Sequence, residues 1–287
     1  MDLSRETPNI RDFNIIKLIG EGISSKVFLV EKRDTNREYA MKVIAKNLDK
    51  ALLERDILMD LHHPFVATLS YSFQNETQLY IVMPYCEYGD LFDFMHDQKQ
   101  RCFSTVQTVY YASCTLLALE YLHSIGVIYR DLKLENILMN SSGHILLTDF
   151  GLSVYDKNNP GPEPNNIMND IVGTPEYLAP EIVDGQSYTC IVDWWSFGIL
   201  IYEMLHGYPP FCSDDTEVLF KLISKCDLSS RLQRDKLSSK AKSIIKKLLK
   251  RNPSKRLGSN GAAEIKDHSF FSDVDFQSLC YEKPPTF

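Results

Sequence analysis

The runs YRDLKLEN (Tyr129–Asn136) and LLTDFG (Leu146–Gly151) stand close together in the middle of the chain. Together they concentrate groups suited to handling phosphate. Asp131 can take the proton of an attacking hydroxyl. Asn136 and Asp149 offer hard oxygen donors, of the kind Mg2+ accepts alongside the phosphate oxygens of ATP. Lys133 can neutralise charge on a transferring group. Any one of these residues alone reads as an ordinary surface or core group. The ordered set, followed by APE at Ala179–Glu181, leaves a purely structural reading little room.

Working outward toward the N-terminus, short β-like runs alternate with turns: FNIIKLIG, SSKVFLVEK and EYAMKVIAK. A helical segment over Leu48–Asp60 follows, and then two more strand-like runs, VATLSYSF and QLYIVMPY. Period-2 alternation in these runs predicts a small antiparallel sheet. The turn GEGISSKV (Gly20–Val27) can bring backbone N–H groups up to phosphates. Gly20 and Gly22 fit a G-x-G-x-x-G cover loop, with Ser25 in the third glycine's place; an ordinary hairpin turn explains the same residues equally well. Lys42, in AMKVI, reads as a strand-edge charge unless a carboxylate holds it, and Glu54 in LLERDIL is the candidate.

Beyond Met83-Pro84-Tyr85-Cys86 the pattern turns helical. Val106–Ile125 and Asp193–Leu205 are apolar enough for buried helices, and Lys240–Lys250 is basic and amphipathic. The expected class is therefore α+β: a sheet lobe joined by a hinge to a larger helical lobe, with a cleft at the junction. KNNPGPEPNN (Lys157–Asn166) reads as an irregular loop.

A chain of 287 residues with 44% hydrophobic and 24% charged content is ordinary for a globular protein. The net charge of −7 argues against a dedicated nucleic-acid or membrane surface and suits cationic partners. Seven scattered cysteines without a C-x-x-C pair read as reduced thiols, so the expected setting is cytoplasmic or nuclear.

On these motifs the whole chain resembles a eukaryotic protein kinase catalytic domain. Lys133 and GTPEYLAPE resemble serine/threonine kinases, and IYRDLKLENIL, VDWWSFGILIYEMLHGYPPF and NPSKRLG resemble the AGC group of protein kinase A and the ribosomal kinases. The resemblance implies a bilobal fold, with an N-lobe over about 13–83, a hinge over about 84–90 and a C-lobe over about 91–272; residues 273–287 would begin the group's C-terminal tail. It implies ATP and Mg2+ as cofactors, protein substrates with Ser or Thr acceptors, and a monomeric catalytic domain. Lys42 would contact the α/β-phosphates and pair with Glu54. Asp131 would be the base, Asn136 and Asp149 the metal ligands, and Thr174 the bridge between Asp131 and Lys133. The nucleotide would lie among Gly20, Gly22, Val27, Ala40, Met83 and Leu138, with adenine meeting the Pro84 carbonyl and the Cys86 N–H and the ribose meeting Asp90.

Leu58, Leu69, Tyr129 and Phe150 resemble the hydrophobic column linking the lobes, Glu181 and Arg256 a buried ion pair, and Asp193 the prop of the catalytic loop. Asp90, Glu135 and Glu203 match acidic positions that would hold a basic residue before the acceptor. Three carboxylates together favour Arg over Lys through bidentate pairing; singly, each reads as a solvated acid.

The sequence departs from the group at several points. No Ser or Thr lies between Ser153 and Thr174, and the position of the regulatory Thr holds Asp170. A built-in Asp170–Arg130 pair would then replace phosphorylation, the other reading being an inert loop carboxylate. Val154 stands where the family has a second cation. The interval from Lys42 to Glu54 is short, so a helix before the Glu54 helix is not expected. These departures admit a second reading, a pseudokinase-like scaffold module. A small-molecule kinase on a related fold is disfavoured by the peptide platform GTPEYLAPE.

Overall fold

A computed structural model describes residues 8–22, 25–45, 49–157, 168–228, 232 and 236–285. Leu48, most of the Lys157–Asn166 loop and the tip of the Gly20–Val27 turn lie outside the described residues. The N-terminal part is a five-stranded sheet of β1 (Phe13–Glu21), β2 (Ser25–Lys32), β3 (Arg37–Ala45), β4 (Tyr71–Gln74) and β5 (Gln78–Pro84). Its spatial order is β1-β2-β3-β5-β4, and every pairing is antiparallel. Strand alternation sorts the side chains by face. Tyr39 and Met41 of β3 pack with Phe13, Val30, Tyr80 and Val82 on the outer face. The next residues along, Ala40, Lys42 and Ile44, therefore face the other way, toward the helix α1 (Asp49–Asp60) and the cleft.

The expected strand VATLSYSF is shorter than its composition predicts, since only Tyr71–Gln74 forms β4. The apolar residues before it are used differently. Phe65 and Ala67 exchange backbone hydrogen bonds of 2.9 Å with Leu147, which ties the sheet to the helical part. Burial of Phe65, Val66 and Ala67 at that junction accounts for their hydrophobicity.

The C-terminal part contains α2 (Leu91–His96), α3 (Thr105–Ser124), α4 (Pro180–Val183), α5 (Ile191–His206), α6 (Thr216–Lys225), α7 (Ser239–Leu248) and α8 (Ala263–Lys266). Helix α3 starts at a Ser104–Gln107 capping box. Helix α5 is apolar around nearly its whole circumference and is buried accordingly, ending at Gly207 with φ 81°. Helix α7 turns Ala241, Ile244, Ile245 and Leu248 inward and leaves its lysines outside. Two small antiparallel pairs, β6 (Val127–Ile128) with β9 (Val154–Tyr155) and β7 (Ile137–Met139) with β8 (Ile145–Leu147), carry the loops that hold the two motif runs. Leu58, Tyr129 and Phe150 are buried in one continuous core, with Leu69 packed against it. Tyr129 and Phe150 meet edge to face at 5.5 Å. Among the described residues no helix is long and apolar enough to cross a membrane.

The APE end of the long loop is anchored by a buried ion pair. Arg256 Nη1 and Nη2 donate to the two Glu181 oxygens at 2.7 and 2.8 Å, and neither side chain is more than 3% exposed. The remaining guanidinium protons go to the Lys250 and Ile191 carbonyls, and the Trp195 ring covers the group at 5.3 Å. Deleting one partner strands the other charge. Arg256→Ala is expected to lower stability by about 3–5 kcal/mol, read as a lower urea midpoint at an unchanged slope.

Candidate active site

A cleft of about 700 Å³ opens where the sheet meets the helices. Its lining includes Gly20, Gly22, Val27, Ala40 and Lys42 from the sheet, and Met83, Pro84, Cys86 and Asp90 from the connection. Glu54 lines it from α1, and Glu135, Asn136, Leu138 and Asp149 from the helical side. The connection is fixed by backbone bonds, Met139 N–H to the Gly89 carbonyl at 2.8 Å and Tyr88 N–H to the Met139 carbonyl at 3.3 Å. Burial pushes the Cys86 thiol up to about 11, so it stays neutral.

At the inner end Lys42 Nζ lies 2.7 Å from Glu54 Oε1 and 2.9 Å from Asp149 Oδ1. Burial alone would favour the neutral amine, but the two carboxylates outweigh it and hold Lys42 above its ordinary range. Asp149 is held below the usual carboxylate range, because Lys42 overcomes the cost of its burial.

The second group sits on the YRDLKLEN loop. Asp131 Oδ1 accepts from the Thr174 hydroxyl at 2.8 Å, and that hydroxyl accepts from Lys133 Nζ at 2.9 Å. Lys133 Nζ is also 3.1 Å from Asp131 Oδ2. Asn136 Nδ2 donates to both the Asp131 carbonyl (2.8 Å) and Oδ2 (2.9 Å), leaving its amide oxygen as a donor for a hard cation.

Both motif runs are bent at a cost. Arg130 has φ 68° and Asp149 φ 57°, the left-handed region that side chains rarely adopt; each such residue costs about 1–3 kcal/mol. The fully buried Asp193 carboxylate offsets the first. It accepts from the backbone N–H of Tyr129 (3.0 Å) and Arg130 (2.9 Å) and from His123 Nε2 (2.8 Å). Gly173 packs over the bend, where a Cβ would lie 2.8 Å from the Arg130 carbonyl oxygen.

Arg130 Nη1 reaches both oxygens of Asp170, at 2.9 and 3.0 Å, while Nε donates to the Leu152 carbonyl at 2.6 Å. Sequence reasoning missed the third member of this cluster, Tyr188. Its hydroxyl donates to Asp170 Oδ1 at 2.8 Å and accepts from Arg130 Nη1 at 3.2 Å. Its backbone also bridges Met168 in an antiparallel pair. Partial burial opposes ionisation of Asp170, but Tyr188 and Arg130 outweigh it and hold the carboxyl below its ordinary range.

The three acids assigned to one substrate channel are not all in the cleft. Asp90 and Glu135 line it, and Asp90 also caps α2 by accepting from Asp93 N–H at 2.8 Å. Glu203 lies outside the cleft lining, buried on α5, where it accepts a hydrogen bond from the Tyr177 hydroxyl. The reason is the burial of α5 on nearly every side. Glu203 still lies within electrostatic reach of Glu135 and Glu176.

Comparison with known proteins matches residues 13–271 to the protein kinase domain. Flippase kinase 1 of Saccharomyces cerevisiae is 42% identical over 96% of this chain and 33% of its own length. Serine/threonine-protein kinase gad8 of Schizosaccharomyces pombe is 43% identical over 98% and 50%. Ribosomal protein S6 kinase 2 alpha of Xenopus laevis is 43% identical over 93% and 37%. The chain therefore spans a third to a half of the length of these relatives.

Burial, together with the charges of Glu135 and Glu176, pushes Glu203 from 4.5 up to about 7, against the pull of the Tyr177 hydroxyl. The folded state then binds more protons than the unfolded chain between about pH 4.5 and 7, so this group's contribution to stability falls as pH rises through that window. Glu203→Gln is expected to flatten that part of the stability profile, measured by urea unfolding at stepped pH.

Proposed function

The chain belongs to the protein kinase domain family, in its AGC group of serine/threonine kinases, and on that premise we propose that it transfers the γ-phosphate of ATP to Ser or Thr hydroxyls of protein substrates. The observation that carries this reading is the convergence on one cleft of the Lys42–Glu54–Asp149 cluster and the Asp131–Thr174–Lys133–Asn136 cluster. A volume of about 700 Å³ suits a nucleotide.

Within it Lys42, kept charged by two carboxylates, would grip the phosphates. Asp131, oriented by Thr174 and Asn136, would accept the proton of the substrate hydroxyl, and Lys133 would offset charge on the transferred group. Among the described residues no three His, Cys, Asp or Glu side chains gather as a metal cage. Mg2+ takes one or two protein oxygens and completes its shell with water and phosphate. Asn136 and Asp149 would hold it, and when bound it would neutralise phosphate oxygens.

Acceptor preference in this reading is for basic residues N-terminal to the Ser or Thr. Asp90 and Glu135 at the cleft support it, and Glu203 on α5 lies within electrostatic reach of Glu135. Activation, in the same reading, needs no phosphorylation of the long loop. A phosphothreonine brings about −1.5 to −2 charges and three acceptor oxygens, whereas Asp170 brings one charge and two oxygens. The Arg130 and Tyr188 contacts match that smaller demand, with a neutral hydroxyl serving where the family has a second cation.

An oriented peptide array with Mg-ATP tests transfer and preference together. The expected result is phosphate on Ser/Thr peptides with Arg before the acceptor, abolished by Asp149→Asn; no incorporation, or none dependent on Asp149, would contradict transfer. Asp170→Ala is expected to lower kcat at least tenfold, and unchanged activity would remove the built-in clamp from the account.

A further inference from the structure

Helix α1 carries Glu54 into the cleft, and its far end is tied to the start of the long loop by contacts unrelated to ATP. Asp60, the last residue of α1, sits six residues beyond Glu54, about 9 Å along the helix. Its Oδ2 accepts from the Tyr155 hydroxyl at 2.7 Å and lies 2.8 Å from Lys157 Nζ. Lys157 Nζ also stands 5.1 Å from the centre of the Tyr155 ring. Tyr155 belongs to β9, four residues past Gly151, and is held in place by pairing with Val127 of β6. The following residue, Asp156, donates to the Gly126 carbonyl at 3.0 Å.

The same helix end is fixed from a second side. The Tyr121 hydroxyl of α3 donates to the Asp60 carbonyl (3.3 Å) and accepts from His62 N–H (2.8 Å), and His63 stacks on the Tyr121 ring at 5.0 Å. The α3 contact anchors the backbone of this corner, while the Asp60 side chain reaches Tyr155 and Lys157 in the segment that follows Asp149. The two hydrogen bonds from Lys157 and Tyr155 draw Asp60 below the ordinary carboxylate range, and burial followed by Asp60 pushes Tyr155 up to about 12.

We propose that Asp60, Tyr155 and Lys157 form a latch that couples the position of α1, and with it the Glu54–Lys42 pair, to the ordered start of the long loop. Asp60 and Tyr155 are positioning residues: they touch no reacting group and act by keeping α1 seated. The latch acts at the end of α1 far from β3, from which α1 is separated by only three residues. It rests on the phosphoryl-transfer reading for its consequence, but not for its existence, and the two can fail separately.

The test compares the wild-type chain with Asp60→Asn, Tyr155→Phe, the double variant and Asp60→Glu. Each single variant is expected to lower kcat on an arginine-containing peptide by about threefold to tenfold. The double variant should be no worse than the poorer single, because one contact is lost either way. Asp60→Glu should recover at least half of the loss, and melting temperatures should stay within about 2 °C. Independently of any transfer, amide hydrogen exchange over residues 49–60 should quicken in both single variants. Unchanged exchange, losses that multiply in the double variant, or activity falling in step with melting temperature would overturn the latch. Normal latch behaviour in exchange with no transfer by wild type would instead overturn the functional reading.

Discussion

The buried carboxylate of Asp193 is the constraint on which the rest of the site depends. Two consecutive backbone amides, those of Tyr129 and Arg130, donate to its two oxygens, with His123 completing the set. A charge with no exposed surface is tolerable only when satisfied in this way. The bonds hold Arg130 at a φ that its side chain disfavours, and the bend has two consequences. It turns Asp131 toward Thr174, Lys133 and Asn136. It also sends the Arg130 guanidinium the other way, to Asp170 and Tyr188. The proposed base and the arginine that holds Asp170 are thus adjacent residues of one strained turn.

In the proposed reading the clamp works with a smaller charge than a phosphate brings. Arg130 is nearly buried while Asp170 is half exposed, so the pair alone is partly screened by solvent. Tyr188 adds a hydrogen bond to the same oxygen and a backbone bridge to Met168. A neutral donor asks for no compensating anion, which is consistent with Val154 in place of a cation. At the inner end of the cleft the balance is different: one lysine faces two carboxylates. That surplus of negative charge suits a site whose occupant arrives with a divalent cation.

Much of this was legible in the sequence, because its signals are local. The five-stranded sheet follows from period-2 runs, and the long helices from their apolar content. The phosphate-handling residues fall in two short runs whose spacing is set by β7 and β8. What escaped was the long-range chemistry of ordinary residue types. Tyr188 and Asp170 meet across 18 positions, and Tyr155 and Asp60 across 95; nothing in a tyrosine's sequence neighbourhood announces its hydroxyl partner. VATLSYSF misled because burial at the lobe junction and burial in a strand demand the same apolar residues. Glu203 matched acidic positions in the sequence, but its burial on α5 and its hydrogen bond from the Tyr177 hydroxyl had no local signal there.

In the proposed reading Asp170 holds its end of the segment against Arg130, and no phosphate is needed. The direct measurement is the kcat of the purified chain before and after phosphatase treatment, with the phosphatase removed before assay and the absence of phosphate verified by intact-mass spectrometry. Robust transfer to an arginine-containing peptide by the phosphate-free chain, at the same rate as before treatment, is the expected result. A phosphate-free chain that no longer transfers, and regains activity when rephosphorylated, would contradict it.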